Sequence, residues 1–189
     1  MTTADVVVLL FGGRRMPRPL RGLATVDIDD ITGFRRVIVV GSDADLAAVL
    51  TRLLRADRLD IEVGHASSWR TARRARTAIA RRVPLIRDET GTVIVGAAEW
   101  TGGPLRGEAI VDDTVLFDGD VAGVRIEPTR AMPGLRAAVT GRATRRWVAG
   151  RAAQLGTPGA TVIRDGVVAP RPVRRSTFYR HTEGWLRVG

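Results

Sequence analysis

The residues that decide the fold are RVIVVGSDADLAAVL, at positions 36–50. A run of β-branched residues reaches Gly41 and passes at once into apolar residues with helical spacing. Ser42 is a natural N-cap, and Asp45 three residues later completes an arrangement like a capping box. The stretch therefore predicts a buried strand, a tight turn and an amphipathic helix from Asp43 to about residue 58.

Strand and helix signals alternate through the first third of the chain. Apolar runs at residues 6–11, 36–40 and 59–63 are typical of strands buried on both faces of a parallel sheet. The segment WRTARRARTAIARR, residues 69–82, predicts a second helix, with Ser67 or Ser68 as its cap. Its predicted apolar stripe consists of Ala72, Ala75, Ile79 and Val83.

The pattern changes after Pro84. Short β-prone runs follow one another, separated by turn residues, and Asp118-Gly119 is interpreted as the turn of a hairpin. We predict two domains: a small, mostly parallel α/β lobe at residues 1–84, and an antiparallel β-sandwich lobe at residues 85–189.

Composition is typical of a globular protein, with 44% hydrophobic and 26% charged residues in 189. The apolar start has no preceding basic residue and favours a buried strand over a secretion signal. Cysteine is absent, which excludes disulfides, thiolate metal sites and cysteine nucleophiles. We expect a cytoplasmic protein.

The formal charge of +10 comes entirely from arginine, because the sequence contains no lysine. One explanation is a GC-rich genome, which disfavours lysine codons. The other is a surface that attracts phosphate groups, nucleic acid or anionic lipid. Charge alone does not decide between them.

Common catalytic and metal motifs are missing. The two histidines, His65 and His181, are not part of an HExxH pattern, and the chain contains no GxSxG, no GxxxxGK and no GxGxxG. Four aspartates lie between residues 112 and 120, but their spacing matches no calcium loop. We predict no metal site from the residues alone.

Two strand-to-helix turns remain as the candidate site. They contain Gly41, Ser42 and Asp43 in the first turn, and Gly64, His65, Ser67 and Ser68 in the second. Consecutive parallel strands end at the same edge of a sheet, where helix N-termini and hydroxyl groups favour a phosphate. The alternative is that each serine only caps its helix.

The order of these turns resembles the nucleotide-binding lobe of the diacylglycerol kinase family, which is related to the NAD kinases. That family has GGDGT-x-x-E in the first turn and P-x-G-T-x-N-D-F in the second. Gly41 and Asp43 match the first motif, and Gly64 and Trp69 match the second. The Asp165-Gly166 turn and the ending STFYRHTEGWLRV are similar to the family's late strands, the ending to those of actinobacterial members.

The resemblance implies a nucleotide site at the two turns, ATP and Mg²⁺ as cofactors, and Asp43 and Asp165 as catalytic carboxylates. Several motif positions differ. Ser42, Ala44 and Asp45 replace Gly, Gly and Thr of the first turn, Ala48 replaces its Glu, and Val167 replaces the carboxylate after Asp165-Gly166. The carboxylate of Asp45 is expected to repel a triphosphate unless a metal ion lies between them.

We therefore predict a shortened, motif-degenerate lipid-kinase-like protein, a pseudoenzyme that binds a nucleotide or lipid phosphate and has weak or no ATP-dependent phosphotransferase activity. The alternative is a non-enzymatic, arginine-rich binding or scaffold module that contacts nucleic acid, an anionic membrane or a protein partner. A third hypothesis is a homodimer formed through an exposed edge strand.

Overall fold

The computed structural model describes residues 5–141 and 144–189, and the chain divides into two compact units. The first unit contains Met1–Val83 and Glu183–Gly189, and the second contains Pro84–Thr182. The two helices are α1 (Asp43–Arg55) and α2 (Trp69–Thr77). Two short 3-10 helices lie at Arg18–Leu20 and Ile28–Gly33. Within the described residues, neither helix is long and apolar enough to cross a lipid bilayer.

The described residues form the strands β1 (Val6–Leu10), β2 (Ala24–Thr25), β3 (Arg36–Val40), β4 (Glu62–His65), β5 (Ala80–Val83), β6 (Ile86–Asp88), β7 (Val93–Ile94), β8 (Ala98–Thr101), β9 (Leu105–Val111), β10 (Thr114–Val121), β11 (Val124–Pro128), β12 (Leu135–Val139), β13 (Val148–Gly150), β14 (Ala152–Arg164), β15 (Val167–Val168), β16 (Val173–Arg180) and β17 (Trp185–Val188).

The first unit is a six-stranded sheet in the order β2-β1-β3-β4-β17-β5. All neighbours are parallel except β17 and β5. Every residue of β3 is buried, as the continuous apolar run predicts for a central strand covered on both faces. Ile38 and Val40 face a core that includes Ala72 and Ala75 of α2, and α1 contacts the same strand. The α/β lobe is therefore present as predicted.

The second unit is an antiparallel β lobe, in agreement with the predicted β-sandwich. Its main strand order is β13-β12-β11-β8-β14-β16-β6-β7, and the β9–β10 hairpin pairs with β14. Strand β14 pairs with β9 and β16 in its first part and with β8 in its last part. It therefore connects the strands around β9 and β16 with those around β8. Trp100 and Phe178 are fully buried in the core, where the Trp100 indole N–H donates to Ser176 Oγ at 3.0 Å.

The structure differs from the sequence interpretation in where several elements end. The last strand, β17, pairs with β4 and β5 of the first unit, whereas the sequence predicts one β lobe over residues 85–189. A strand's residues indicate that it pairs, but its partner is set by contacts far away in sequence. The fourth strand begins at Glu62 rather than residue 59, because Asp57 adopts a left-handed conformation and the chain turns before the strand starts.

The predicted apolar stripe of α2 is also too long. The helix ends at Thr77, so Ile79 and Val83 are not part of it, and Ile79 is 85% exposed.

The interpretation of Asp118-Gly119 as a hairpin turn is wrong. Both residues lie within β10, opposite Gly107 and Glu108 of β9. The turn is instead at Asp112, whose φ is 50° and whose carboxylate accepts hydrogen bonds from the N–H groups of residues 151 and 152. These contacts fix the turn directly after the end of β9. Their donors, residues 151 and 152, are distant in sequence, so local sequence patterns do not predict the contact.

Candidate functional site

The first turn connects β3 to α1 and is closed by a complete capping box. Ser42 is the N-cap, and its hydroxyl accepts a hydrogen bond from the Asp45 N–H at 3.3 Å. The Asp45 carboxylate accepts in return from the Ser42 N–H at 2.7 Å and from the Ser42 hydroxyl at 2.8 Å. The predicted cap is therefore present, and both of its side chains are used within the turn.

The Asp45 carboxylate occupies the space directly above the turn. A Cβ added to Gly41 would lie 2.6 Å from Asp45 Oδ2, so only glycine fits at position 41 beside this carboxylate. Asp43 and Asp45 both lie in the first turn of α1. The positive end of α1 is thus already matched by two negative groups of the chain itself.

The second turn connects β4 to α2 and has a different chemistry. Ser68 is the N-cap, and its partner in the capping box is the neutral hydroxyl of Thr71. No acidic residue lies in the first turn of α2, whose second residue is Arg70. The two helix N-termini at this edge therefore carry opposite local charge.

His65 joins the two turns. Its Nε2 lies 3.0 Å from the Gly41 carbonyl oxygen, and its Nδ1 lies 3.8 Å from Asp43 Oδ1. A carbonyl oxygen can only accept, so Nε2 carries the proton of this hydrogen bond. The His65 side chain is 21% exposed and that of Asp43 is 56% exposed. The imidazole therefore holds the turns together while the Asp43 carboxylate remains open to solvent.

The structure brings seven of the predicted site residues to one edge of the sheet in the first unit. They are Gly41, Ser42, Asp43, Gly64, His65, Ser67 and Ser68. Gly64 serves packing, because a Cβ there would lie 2.7 Å from the Cβ of Ala75. Ser67 is exposed beside the cap of α2. We call this edge, defined by residues 41–45 and 64–68, the crest.

Asp165 lies in the second unit, in the turn between β14 and β15, with φ of 48°. Its carboxylate accepts hydrogen bonds from three consecutive N–H groups, those of Val95, Gly96 and Ala97, at distances from 2.7 to 3.0 Å. These bonds fix the connection between β7 and β8. The observed contacts of Asp165 are those of a structural carboxylate.

Sequence reasoning missed Arg36, which supports the crest from the opposite end of β3. The residue is 6% exposed, and its guanidinium donates to the carbonyl oxygens of Ala75, Arg76 and Ala78 at the end of α2. It also donates to Glu62 at 2.6 Å. In the sequence, the only sign of this role is that an arginine stands at the start of an apolar strand.

Among the described residues, no group of three or more His, Cys, Asp or Glu could hold a metal ion.

The chain thus combines an α/β lobe with an antiparallel β lobe that precedes the final strand of the first sheet. No family model matches the chain, and no curated protein matches it. Solved structures do match. A diacylglycerol kinase from Bacillus anthracis has a TM-score of 0.72 at 10% identity, with 100% of this chain and 98% of that chain covered.

Two nucleotide kinases give similar results. An NAD kinase from Archaeoglobus fulgidus, solved in complex with ATP, has a TM-score of 0.65 at 11% identity, covering 98% of this chain and 93% of that chain. Yeast NADH kinase, complexed with NADH, has a TM-score of 0.56 at 9% identity, covering 88% and 65%. The chain therefore has the diacylglycerol kinase and NAD kinase-like fold, which confirms the resemblance inferred from motif order. At these identities the likeness shows the fold alone.

Proposed function

We propose that this protein is a kinase-fold binding protein whose crest takes a ligand bearing a phosphate group, a nucleotide or a lipid phosphate, and that its ATP-dependent phosphotransferase activity is weak or absent. The observation that carries the proposal is the position of the Asp45 carboxylate, which accepts two hydrogen bonds from Ser42 at the N-terminus of α1.

The free energies of attraction and repulsion at the α1 turn can be compared for a triphosphate without bound metal. A phosphate at a helix N-terminus gains about 0.3–1 kcal/mol from the helix dipole, and up to ~2 kcal/mol when partly buried. Two like charges 4 Å apart repel by about 4 kcal/mol at the effective dielectric of a protein surface. The repulsion by Asp45 therefore exceeds the attraction by the helix. The residues present therefore disfavour a triphosphate without bound metal at the α1 turn.

The α2 turn is the better place for a ligand phosphate. It has no carboxylate, its first turn carries Arg70, and the exposed hydroxyl of Ser67 lies beside it. Asp43 and His65, which contact each other, lie next to this turn in the crest. A ligand bound here would place its phosphate at α2 and its uncharged part toward α1. That arrangement favours binding over phosphoryl transfer, which depends on positioning and on cations around the transferred group.

The substitution Asp45→Thr tests the proposal, because it gives α1 the same Ser…Thr capping box that α2 already has. Thermal shift is measured for the wild type and the variant with ATP and Mg²⁺, NAD, and a short-chain lipid phosphate. We expect the lipid phosphate or NAD to raise the melting midpoint of the wild type. ATP should gain at least fivefold in affinity in the variant. Asp57→Asn is the matched control, since it removes one charge beyond the other end of α1 and should leave affinities unchanged.

A phosphorylation assay with ATP and a panel of lipids completes the test. We expect no turnover above that of the Asp43→Ala variant. Robust wild-type turnover that is lost in Asp43→Ala would show an active kinase and overturn the proposal. Turnover that survives this substitution would show that the crest is not the active site.

A further inference from the structure

Arginines and carboxylates are segregated in the first unit. Residues 6–26 and residues 63–83 contain no Asp or Glu, yet they contain many of the unit's arginines. At and just after α1, by contrast, arginines have acidic partners, as in Arg52 with Asp29 and Arg58 with Asp60. A genome that favours arginine codons explains arginine in place of lysine. It does not explain why the carboxylates avoid these two segments.

The two acid-free segments lie side by side. The 3-10 helix Arg18–Leu20 packs against α2, where Leu20 shares a buried cluster with Ala72 and Ala75. The guanidinium of Arg76 donates to the Pro19 carbonyl oxygen at 2.7 Å and joins the segments directly. Besides Arg76, this surface has seven exposed arginines: Arg14, Arg15, Arg18 and Arg21 in the loop after β1, and Arg70, Arg73 and Arg74 on α2. We call these seven residues, together with Trp69, the basic face.

The outer side of α2 combines an aromatic ring with guanidinium groups. Ala72 and Ala75 face the core, so Trp69 and Arg73, four residues apart, lie on the outward side, flanked by Arg70 and Arg74. Trp69 is 58% exposed. Within the described residues, no carboxylate lies within salt-bridge distance of these three arginines. Arg70 also lies beside the positive end of its own helix, an unfavourable arrangement that a bound anion relieves.

We infer that the basic face binds single-stranded nucleic acid through phosphate contacts of Arg70, Arg73 and Arg74 and stacking of a base on Trp69. Exposed aromatic rings that alternate with arginine are the recognition elements for a polymer of phosphates and unpaired bases. Guanidinium groups match phosphate oxygens with two parallel hydrogen bonds. Arginines alone would also bind an anionic membrane surface. The exposed ring of Trp69 among them is the feature that favours unpaired bases, and Ile79, the other large apolar side chain exposed nearby in sequence, lies beyond the end of α2. The inference shares Arg70 with the ligand site proposed at the crest, but Trp69, Arg73 and Arg74 lie outside the crest, so failure of one proposal does not decide the other.

Fluorescence anisotropy with fluorescein-labelled dT20 and rU20 tests the inference at 50–300 mM NaCl. The variant Arg70→Ala/Arg73→Ala/Arg74→Ala should lose at least tenfold in affinity. Its slope of log K against log salt should be shallower by about 2, because each lost phosphate contact contributes ~0.7. Trp69→Ala should lose at least fivefold, and Trp69→Phe should retain most of the affinity. These four residues are exposed and leave the core intact, which circular dichroism checks.

The matched control is Arg106→Ala/Arg130→Ala/Arg171→Ala, which removes the same charge from exposed positions of the second unit. An equal loss of affinity in this control would show that net charge alone drives binding and would overturn the inference. Duplex DNA bound as tightly as dT20 would overturn the stacking role of Trp69. Binding to phosphatidylglycerol vesicles that depends on the same arginines, without binding to either oligonucleotide, would assign the face to a membrane instead.

Discussion

Arg35 and Arg36 are neighbours that contact the same carboxylate in different surroundings. Arg35 donates to Glu62 at 3.0 Å, with 53% of its side chain exposed. Arg36 donates to Glu62 at 2.6 Å, with 8% of its side chain exposed, and also satisfies three carbonyl oxygens of α2 and its C-cap. Burial makes Arg36 the essential member of the pair, because its loss leaves buried acceptors without donors.

The first prediction compares Arg36→Met with Arg35→Met. The Arg36 variant should lose about 3–5 kcal/mol of the free energy of unfolding, since it breaks a buried charged network. The Arg35 variant should lose less than about 1 kcal/mol, as exposed ion pairs do. Urea denaturation monitored by circular dichroism measures both. Equal losses would contradict the role of Arg36 in ending α2.

The capping residues could be predicted from the sequence, whereas Arg36 could not. The spacing of Ser42 and Asp45 is a local signal, because both partners lie within one helical turn. The contacts of Arg36 join β3 to the end of α2, and those elements are distant in sequence. The same contact explains the end of α2 at Thr77, which the continuing pattern of alanine and arginine obscures.

At the scale of elements, α2 lies unusually close to β4. The Gly64 position allows this approach, because a Cβ there would be 2.7 Å from the Ala75 Cβ and 3.1 Å from its Cα. Both residues are buried. The distance between the helix and the strand is therefore set by two small residues.

The second prediction is that Gly64→Ala lowers the free energy of unfolding by about 1–3 kcal/mol, because overpacking displaces α2. The double variant Gly64→Ala/Ala75→Gly should lose less than the sum of the two single variants. Gly33→Ala is the control, since no atom lies within 4 Å of its added Cβ. Additive losses in the double variant would show that the two residues do not contact.

An ion-pair network connects β8, β11 and β12 in the second unit. Glu127 accepts from Arg125 at 2.8 Å and from Arg136 at 2.6 Å, and Arg125 also donates to Glu99 at 2.6 Å. Burial alone would raise the pKa of Glu127, but the hydrogen bonds from Arg125 and Arg136 outweigh burial and lower this pKa. The folded protein therefore holds the ionised form of Glu127 more strongly than the unfolded chain does.

The third prediction follows from the sign of this shift. A lowered folded-state pKa stabilises the fold above the unfolded value, which is about 4.3 for glutamate, and this contribution is lost as the pH falls through the folded value. The Glu127→Gln variant should be less stable than the wild type at pH 7. The difference should shrink as the pH falls below about 4.3. Urea denaturation from pH 7 to pH 3 measures it, and a constant difference would contradict the network's role.

At the scale of the whole molecule, the second unit is an insertion within the first. Strand β17 returns after Thr182 and lies between β4 and β5, so β5 has only β17 as its neighbour in the sheet of the described residues. The presence of the two lobes could be predicted from hydrophobic patterns, but strand β5 could not, because the sequence predicts that its residues continue α2. The return of β17 could not, because residues 185–188 would suit an edge position in either sheet.

The fourth prediction concerns a chain that lacks residues 183–189. Strand β5 loses its partner and β4 loses one neighbour, so the first unit should unfold at a lower temperature while the second unit retains its structure. Hydrogen exchange followed by mass spectrometry should show lost protection in β3 and β4 and retained protection in β14 and β16. The substitution Trp185→Ala, at a buried position of β17, should give a weaker effect in the same direction. Unchanged protection in β4 would contradict this assignment.

The inserted second unit also affects the entropic cost of folding the first unit. Val83 and Trp185 are paired across β5 and β17, and the chain between them forms the second unit. Joining the ends of an unstructured loop of about 100 residues costs on the order of 4 kcal/mol. The folded second unit already holds its own ends together, since the His181 N–H donates to the Leu85 carbonyl oxygen at 2.8 Å. When the β lobe is folded, the ends of this loop are already close together, so β17 pairs with β5 at a lower entropic cost. Substitutions that destabilise the core of the β lobe should therefore also destabilise the sheet that carries the crest, although the β lobe contributes no strand to that sheet.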